Sequence, residues 1–199
     1  MTLLGLDFDN TLVQYDKLFH QVALDKRLID ESILPNKTAV RDHLRSQGKE
    51  EQFTLLQGEV YGPRILDAEP AKNMFEVLKE LSHRGIQMVL VSHKTRTPYK
   101  GPKHDLHKAA WSWLENHNFF AHNGLNWNRS QVFFEESKQA KIARIQELEC
   151  THYIDDLPEI LEMLPRNIQA ILFDPNNNYN HEQAIHLTEW KALPDILLG

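Results

Sequence analysis

Short apolar runs alternate along this chain with segments whose apolar residues recur at helical spacing, a pattern that predicts a parallel sheet with crossover helices. The apolar runs cover residues 3–8, 86–91, 132–134, 152–154 and 170–173. The run 86–91 carries apolar residues on both parities, which marks a strand buried on both faces. Between the runs, the spacing predicts helices over 13–33, with Leu18, Val22, Leu28 and Ile29 on the apolar face and Pro35 as the breaker. A second helix starts at an Asn36 or Thr38 cap, runs through Leu44 and stops near Gly48, and a third covers 50–57. Further helices are expected over 73–83, ending before Gly85, over 108–117 with Trp111 and Leu114 inward, and over 138–149. GEVYGPRI, residues 58–65, is irregular, DPNNNYN, residues 174–180, reads as a polar loop, and no internal repeat interrupts the order.

Polar residues stand at several predicted strand ends. The first run closes on Asp7 and Asp9, the second on Ser92, the fourth on Asp155 and Asp156, and the last on Asp174. In open parallel sheets, ligands bind outside the carboxyl ends of the strands. Asp7 and Asp9 share one side of the strand if the extended geometry persists to its tip. Two carboxylates held that close repel, so the pair calls for a cation or a shared proton.

Composition narrows the classes. The 199 residues allow one domain with an insertion, or two small lobes. Apolar residues make up 41%, without an uninterrupted run of 18, so no membrane partner is expected. The start lacks a basic leader and a small-residue cleavage site, and Cys150 is the single cysteine, which together predict a cytoplasmic protein without disulfides. A net charge of −6 disfavours a nucleic acid polymer as partner and restricts phosphate binding to a local site.

Taken in order, DFDNT at 7–11, the strand-terminal VLVS at 89–92, a lysine on the helix after the third run, and YIDD at 153–156 resemble the four motifs of the haloacid dehalogenase superfamily of phosphohydrolases. The motifs span residues 7 to 156, most of the chain. The resemblance implies a doubly wound, Rossmann-like α/β core, a magnesium ion, and a phosphomonoester hydrolase that passes through an aspartyl-phosphate. Asp7 then matches the nucleophile, and Asp9 the general acid and base that protonates the leaving oxygen and later activates water. The Asp7 side chain, the Asp9 backbone carbonyl and the acids at 155 and 156 match the magnesium site, whose hard cation takes oxygen ligands. Asp156 aligns as the direct ligand and Asp155 as its neighbour. Ser92 and Lys141 match the groups that hold the transferring phosphoryl oxygens. Lys138, three residues earlier on the same helix, competes for the lysine role.

Aspartate at position 9 resembles the superfamily's phosphatases and mutases; its dehalogenases lack that acid, and its transport ATPases carry threonine there. A calcium loop is the other reading of DxDN, but Leu12 and Leu18 stand where an EF-hand needs glycine and glutamate. The resemblance places a helical cap over 13–67, between core segments 1–12 and 68–199, where a lid would exclude water from the substrate. Glu59, Tyr61 and Arg64 are either lid contacts or part of a return to the core. After Ser92 comes the basic stretch HKTRTPYKGPKHDLHK; His93, Lys94 and Arg96, with Thr11, are the candidate contacts to a small phosphorylated substrate, and the remaining lysines read as a solvated loop. His104 and His107 lack the further ligands of a zinc site. Trp111, Trp113, Phe119, Phe120 and Trp127 read as packing, and Cys150 as a core thiol. Within the same chemistry a phosphomutase is the alternative; outside it, the alternative is a non-catalytic module that binds a phosphorylated metabolite.

Overall fold

Gly5 sits in the middle of Leu3–Leu6 (β1), the strand around which a six-stranded parallel sheet assembles in the computed structural model. The other strands are Gln87–His93 (β2), Val132–Glu135 (β3), His152–Asp155 (β4), Gln169–Phe173 (β5) and Ile185–Leu187 (β6). Their order is β3-β2-β1-β4-β5-β6, all neighbours parallel. The order reverses between β1 and β4, so the crevice outside their carboxyl ends is the topological switch point of a doubly wound sheet. The structure describes residues 2–179 and 181–199.

Both faces of the sheet are covered, as the apolar pattern requires. On one face Val89, Val91, Tyr153, Ala170 and Leu172 pack with Ile142 and Ile145 of helix Lys138–Glu147 and with Ile160 and Leu161. The alternate residues Leu4, Leu6, Met88, Leu90, Ile154 and Ile171 are buried too. Gly5 lies in register with Tyr153. A Cβ at that glycine would stand 2.5 Å from the Tyr153 ring, so only glycine admits the ring there. The ring lies across the sheet, and its hydroxyl donates to the Val91 carbonyl oxygen of β2 at 2.5 Å.

The chain forms two compact units. The first holds the sheet and comprises the chain up to Val13, Pro70–Lys94 and everything from Asn118 onward; the second comprises Gln14–Glu69 and Thr95–His117. The second unit thus joins Gln14–Glu69, within the stretch 13–67 and its edges, to the separate excursion Thr95–His117. Inside that second unit Trp113 Nε1 donates to the Ala68 carbonyl oxygen at 2.9 Å and Lys100 pairs with Glu51 at 2.8 Å. These contacts fasten the second excursion to the first. Within the first unit, the Ala71 N–H donates to the Leu12 oxygen at 2.8 Å, which draws together the two chain ends that bracket the first insertion.

Two elements depart from the periodicity. The helix expected over 13–33 is Asp16–Asp25. Arg27 takes a left-handed φ of 55° and Leu28 N–H bonds the Ala23 oxygen at 2.9 Å, a Schellman-type closure that leaves Leu28 and Ile29 beyond the helix. Trp113, not Trp111, is the fully buried tryptophan of Leu106–Asn116. The sheet also gains β6, which three residues with an exposed Ile185 and His186 could not announce. In the loop at 174–179 Asp174 is buried and accepts the Tyr179 N–H at 2.8 Å; Asn180 of that predicted loop lies outside the described residues. Among the described residues no helix is long and apolar enough to cross a membrane.

Candidate active site

Strand β1 ends at Leu6, and Asp7 continues it by one bond, its N–H donating to the Ile154 oxygen at 2.9 Å. The chain then turns: Asn10 takes φ 57°, and the N–H groups of Leu12 and Val13 both reach the Phe8 oxygen. Phe8 is buried against Phe134 of β3, so the turn is anchored by the apolar residue between the two aspartates. Asparagine suits this geometry because it adopts the left-handed region with little penalty.

The two aspartates do not share a cation. Lys141, buried to 2% exposure, donates from Nζ to Asp7 Oδ1 and to Asp155 Oδ2, both at 2.6 Å. Lys94, also buried, grips both Asp9 oxygens at 2.9 and 2.8 Å. Each carboxylate thus meets a different ammonium, which offsets part of the repulsion expected of a close pair. Lys138, the rival for the lysine role, pairs with Glu159 at 2.7 Å, and the structure brings Lys141 to Asp7. Helix Lys138–Glu147 sets this choice: Ile142 and Ile145 bury against the sheet, and Lys141 shares their side. Its ammonium also lies 5.5 Å from the centre of the Tyr153 ring.

Asp7, Asp155 and Asp156 each offer one oxygen, all within 4.8 Å of one another. Burial pushes the Asp7 carboxyl up to about 7; Lys141 opposes this, and the charges of Asp155 and Asp9 reinforce it. Burial likewise raises Asp156 well above the usual carboxylate range, helped by Asp155 and Asp7, while a hydrogen bond from Asn10 Nδ2 at 3.2 Å works against the shift. Asp155 spends one oxygen on Lys141 and the other on the Leu157 N–H at 3.0 Å. Three acids, two of them buried, against one ammonium leave the cluster short of positive charge. A hard divalent cation with oxygen ligands fits that donor set.

Two hydroxyls complete the arrangement. Ser92, near the end of β2, and Thr11, in the turn after Asp9, are both buried, and among the described residues neither hydroxyl oxygen has a hydrogen-bond partner. Orphaned buried hydroxyls are rare unless something absent from the protein completes them. His93 is half-buried at the same strand end; burial, and after it the charge of Lys141, pushes its imidazole below the ordinary value. Arg96 belongs to the second unit, where its guanidinium pairs with Asp105 at 3.2 Å. Glu59, Tyr61 and Arg64 are engaged within that unit as well: Glu59 with Lys26, Arg64 with Asp25 and Asp67, and the Tyr61 hydroxyl with Lys37 Nζ at 2.8 Å.

Two contributors escaped the sequence reading. Asn10 was legible only as part of DFDNT, and its positive φ and its bond to Asp156 come from the folded turn. Tyr153 reads as an ordinary strand residue; the signal was Gly5, whose missing side chain makes room for the ring.

A crossover sheet in 3-2-1-4-5-6 order, with acids and a buried lysine gathered at the carboxyl ends of its central strands, defines an open α/β protein with its candidate site at the switch point. No family model matches the chain. A Bacillus cereus protein named "Putative nucleotidase" is 23% identical over 204 residues, covering 97% of this chain and 96% of that protein. Among solved structures, a Bacillus subtilis hydrolase of the haloacid dehalogenase type bound to magnesium matches with a TM-score of 0.55 at 12% identity, covering 100% of this chain and 99% of that one. A phosphatase of the same type from Thermococcus onnurineus matches at 0.54 and 13%, again covering 100% and 99%. Other matching structures are named dehalogenases. The chain has the fold of the haloacid dehalogenase superfamily of hydrolases.

Proposed function

We propose that this protein is a magnesium-dependent phosphomonoester hydrolase that acts on a small phosphorylated metabolite through a phosphorylated Asp7. The observation that carries the reading is the position of the Asp7 carboxylate, at once a member of a three-acid cluster and bound to the ammonium of Lys141. In this reading an Asp7 oxygen bonds to phosphorus as the ester P–O bond breaks, and Asp9 gives its proton to the departing oxygen. Asp9 then takes a proton from water, whose oxygen bonds to phosphorus while the P–O bond to Asp7 breaks, releasing inorganic phosphate and restoring Asp7.

Asp7, the Asp9 carbonyl and Asp156 would hold the magnesium, with Asp155, whose oxygens are already occupied by protein donors, as the supporting acid. When bound, the ion neutralises the phosphate and the cluster, so that an anionic nucleophile can approach an anionic substrate. Lys141 and the unpartnered hydroxyls of Ser92 and Thr11 supply donors to the phosphoryl oxygens, where charge accumulates. His93 and Arg96 are the candidate contacts beyond the phosphate. Gln14–Glu69, which carries three helices, is the candidate cap. The similarity to a protein named a nucleotidase puts nucleoside monophosphates first among substrates to try. A small-molecule partner and a cytoplasmic location go with this reading, because the net charge is −6 and the lone Cys150 is buried as a free thiol.

The test is phosphate release from p-nitrophenyl phosphate and from a panel of nucleotides and sugar phosphates. We expect turnover that needs magnesium and falls at least about a hundredfold in both Asp7→Asn and Asp9→Asn. Turnover that survives both changes would falsify the reading. Halide release from a 2-haloacid without added metal would replace it with dehalogenase chemistry.

A further inference from the structure

Lys94 is the only residue of the basic stretch after β2 that the structure buries with its charge, and its charge is spent on Asp9. Its side chain is 3% exposed, whereas that of Asp9 is 25% exposed. The ammonium also lies 5.4 Å from the centre of the Phe8 ring, and the Lys94 N–H is fixed by the Glu135 oxygen of β3 at 2.8 Å. The lysine is therefore held at both its backbone and its head, deep to the carboxylate it grips, with the carboxylate nearer to solvent. A group that binds substrate directly would show the opposite order of exposure.

We propose that Lys94 is a positioning residue, whose task is to fix the Asp9 carboxyl group in one orientation for proton transfer, and that it does not bind the substrate phosphate. The inference rests on the phosphatase reading above. A carboxylate held at both oxygens cannot rotate about its Cβ–Cγ bond, so its outward lone pairs keep a constant direction through both proton transfers. Orientation of this kind accounts for a large share of intramolecular rate advantages. The same contact keeps the Asp9 side chain out of the Asp7, Asp155 and Asp156 cluster, to which it does not belong. Charge alone in the substrate pocket would predict that Lys94 sets affinity; the geometry predicts that it sets the proton-transfer step and leaves affinity unchanged.

The experiment compares wild type with Lys94→Gln, Asp9→Asn and the double variant on two magnesium-saturated substrates, 2,4-dinitrophenyl phosphate and an alkyl phosphate. The dinitrophenolate leaves without a proton; the alkoxide needs one, so only the second depends on a placed acid. We expect Lys94→Gln to lower kcat/KM by about a hundredfold on the alkyl ester and by less than about tenfold on the aryl ester, with no rise in KM. Adding Lys94→Gln to Asp9→Asn should lower the rate no further, because the lysine acts through the aspartate. Lys94→Arg, which keeps a buried cation, should recover part of the alkyl activity and controls for folding, as does the thermal midpoint of every variant. Equal losses on both esters, a rise in KM, or a further loss in the double variant would overturn the proposal and leave the phosphatase reading standing. Absence of any Asp7-dependent turnover in wild type would overturn both.

Discussion

Gly5 shows how much one hydrogen atom can decide. The Tyr153 ring occupies the space a side chain would need, and that ring in turn lies under the ammonium of Lys141. Gly5→Ala should destabilise by about 1–3 kcal/mol through overpacking, with a drop in thermal midpoint of several degrees. It should also weaken catalysis if the ring shifts under Lys141; a melt and a rate on the same preparation check both. Asp7 carries a second expectation. Its folded carboxyl is pushed up to about 7, against 3.8 ordinarily, so between those values the folded chain holds more protons than the unfolded one and stability falls as pH rises. In chelator, the thermal midpoint of Asp7→Asn should therefore gain on that of wild type from pH 5 to 7.5. Added magnesium should narrow the gap at pH 7.5. A gap that stays constant with pH would show that Asp7 does not titrate in this window.

At the scale of elements, two terminations place the site. Ser137 caps helix Lys138–Glu147 by accepting the Ala140 N–H at 3.1 Å, one turn before Lys141. Ser137→Ala should cost about 1 kcal/mol by losing that cap. The turn after β1 depends on Asn10 at φ 57°. Asn10→Gly should hold the turn while Asn10→Ala loses a further ~1 kcal/mol, because alanine pays the left-handed penalty that glycine avoids; both lose the amide bond to Asp156. Chemical denaturation of the three variants separates the effects. The elements differed in how much of them was legible. β2 and helix Met74–His83 stood out because apolar periodicity and Gly85 bounded them clearly. The apolar pattern overruns the helix at Asp16, since Leu28 and Ile29 continue it while the Arg27 turn that removes them is a backbone event.

For the whole molecule, magnesium is expected to act on stability as well as on turnover. A cation that binds the folded cluster and not the unfolded chain stabilises by mass action, so chelation should lower the thermal midpoint and magnesium should raise it in proportion to the logarithm of its concentration. A midpoint indifferent to magnesium would argue against an ion at Asp7, Asp155 and Asp156. The sequence by itself determined the alternation of strands and helices, hence the parallel sheet, and the order of DFDNT, VLVS and YIDD along it, because burial on two faces and strand-end polarity are both written in local pattern. Tertiary structure alone decided which lysine meets which aspartate, that Thr95–His117 groups with Gln14–Glu69, and that Asp7 and Asp9 each meet a different ammonium. Those facts depend on contacts between residues 85 and 134 positions apart, and periodicity along a chain carries no information about pairing at that distance.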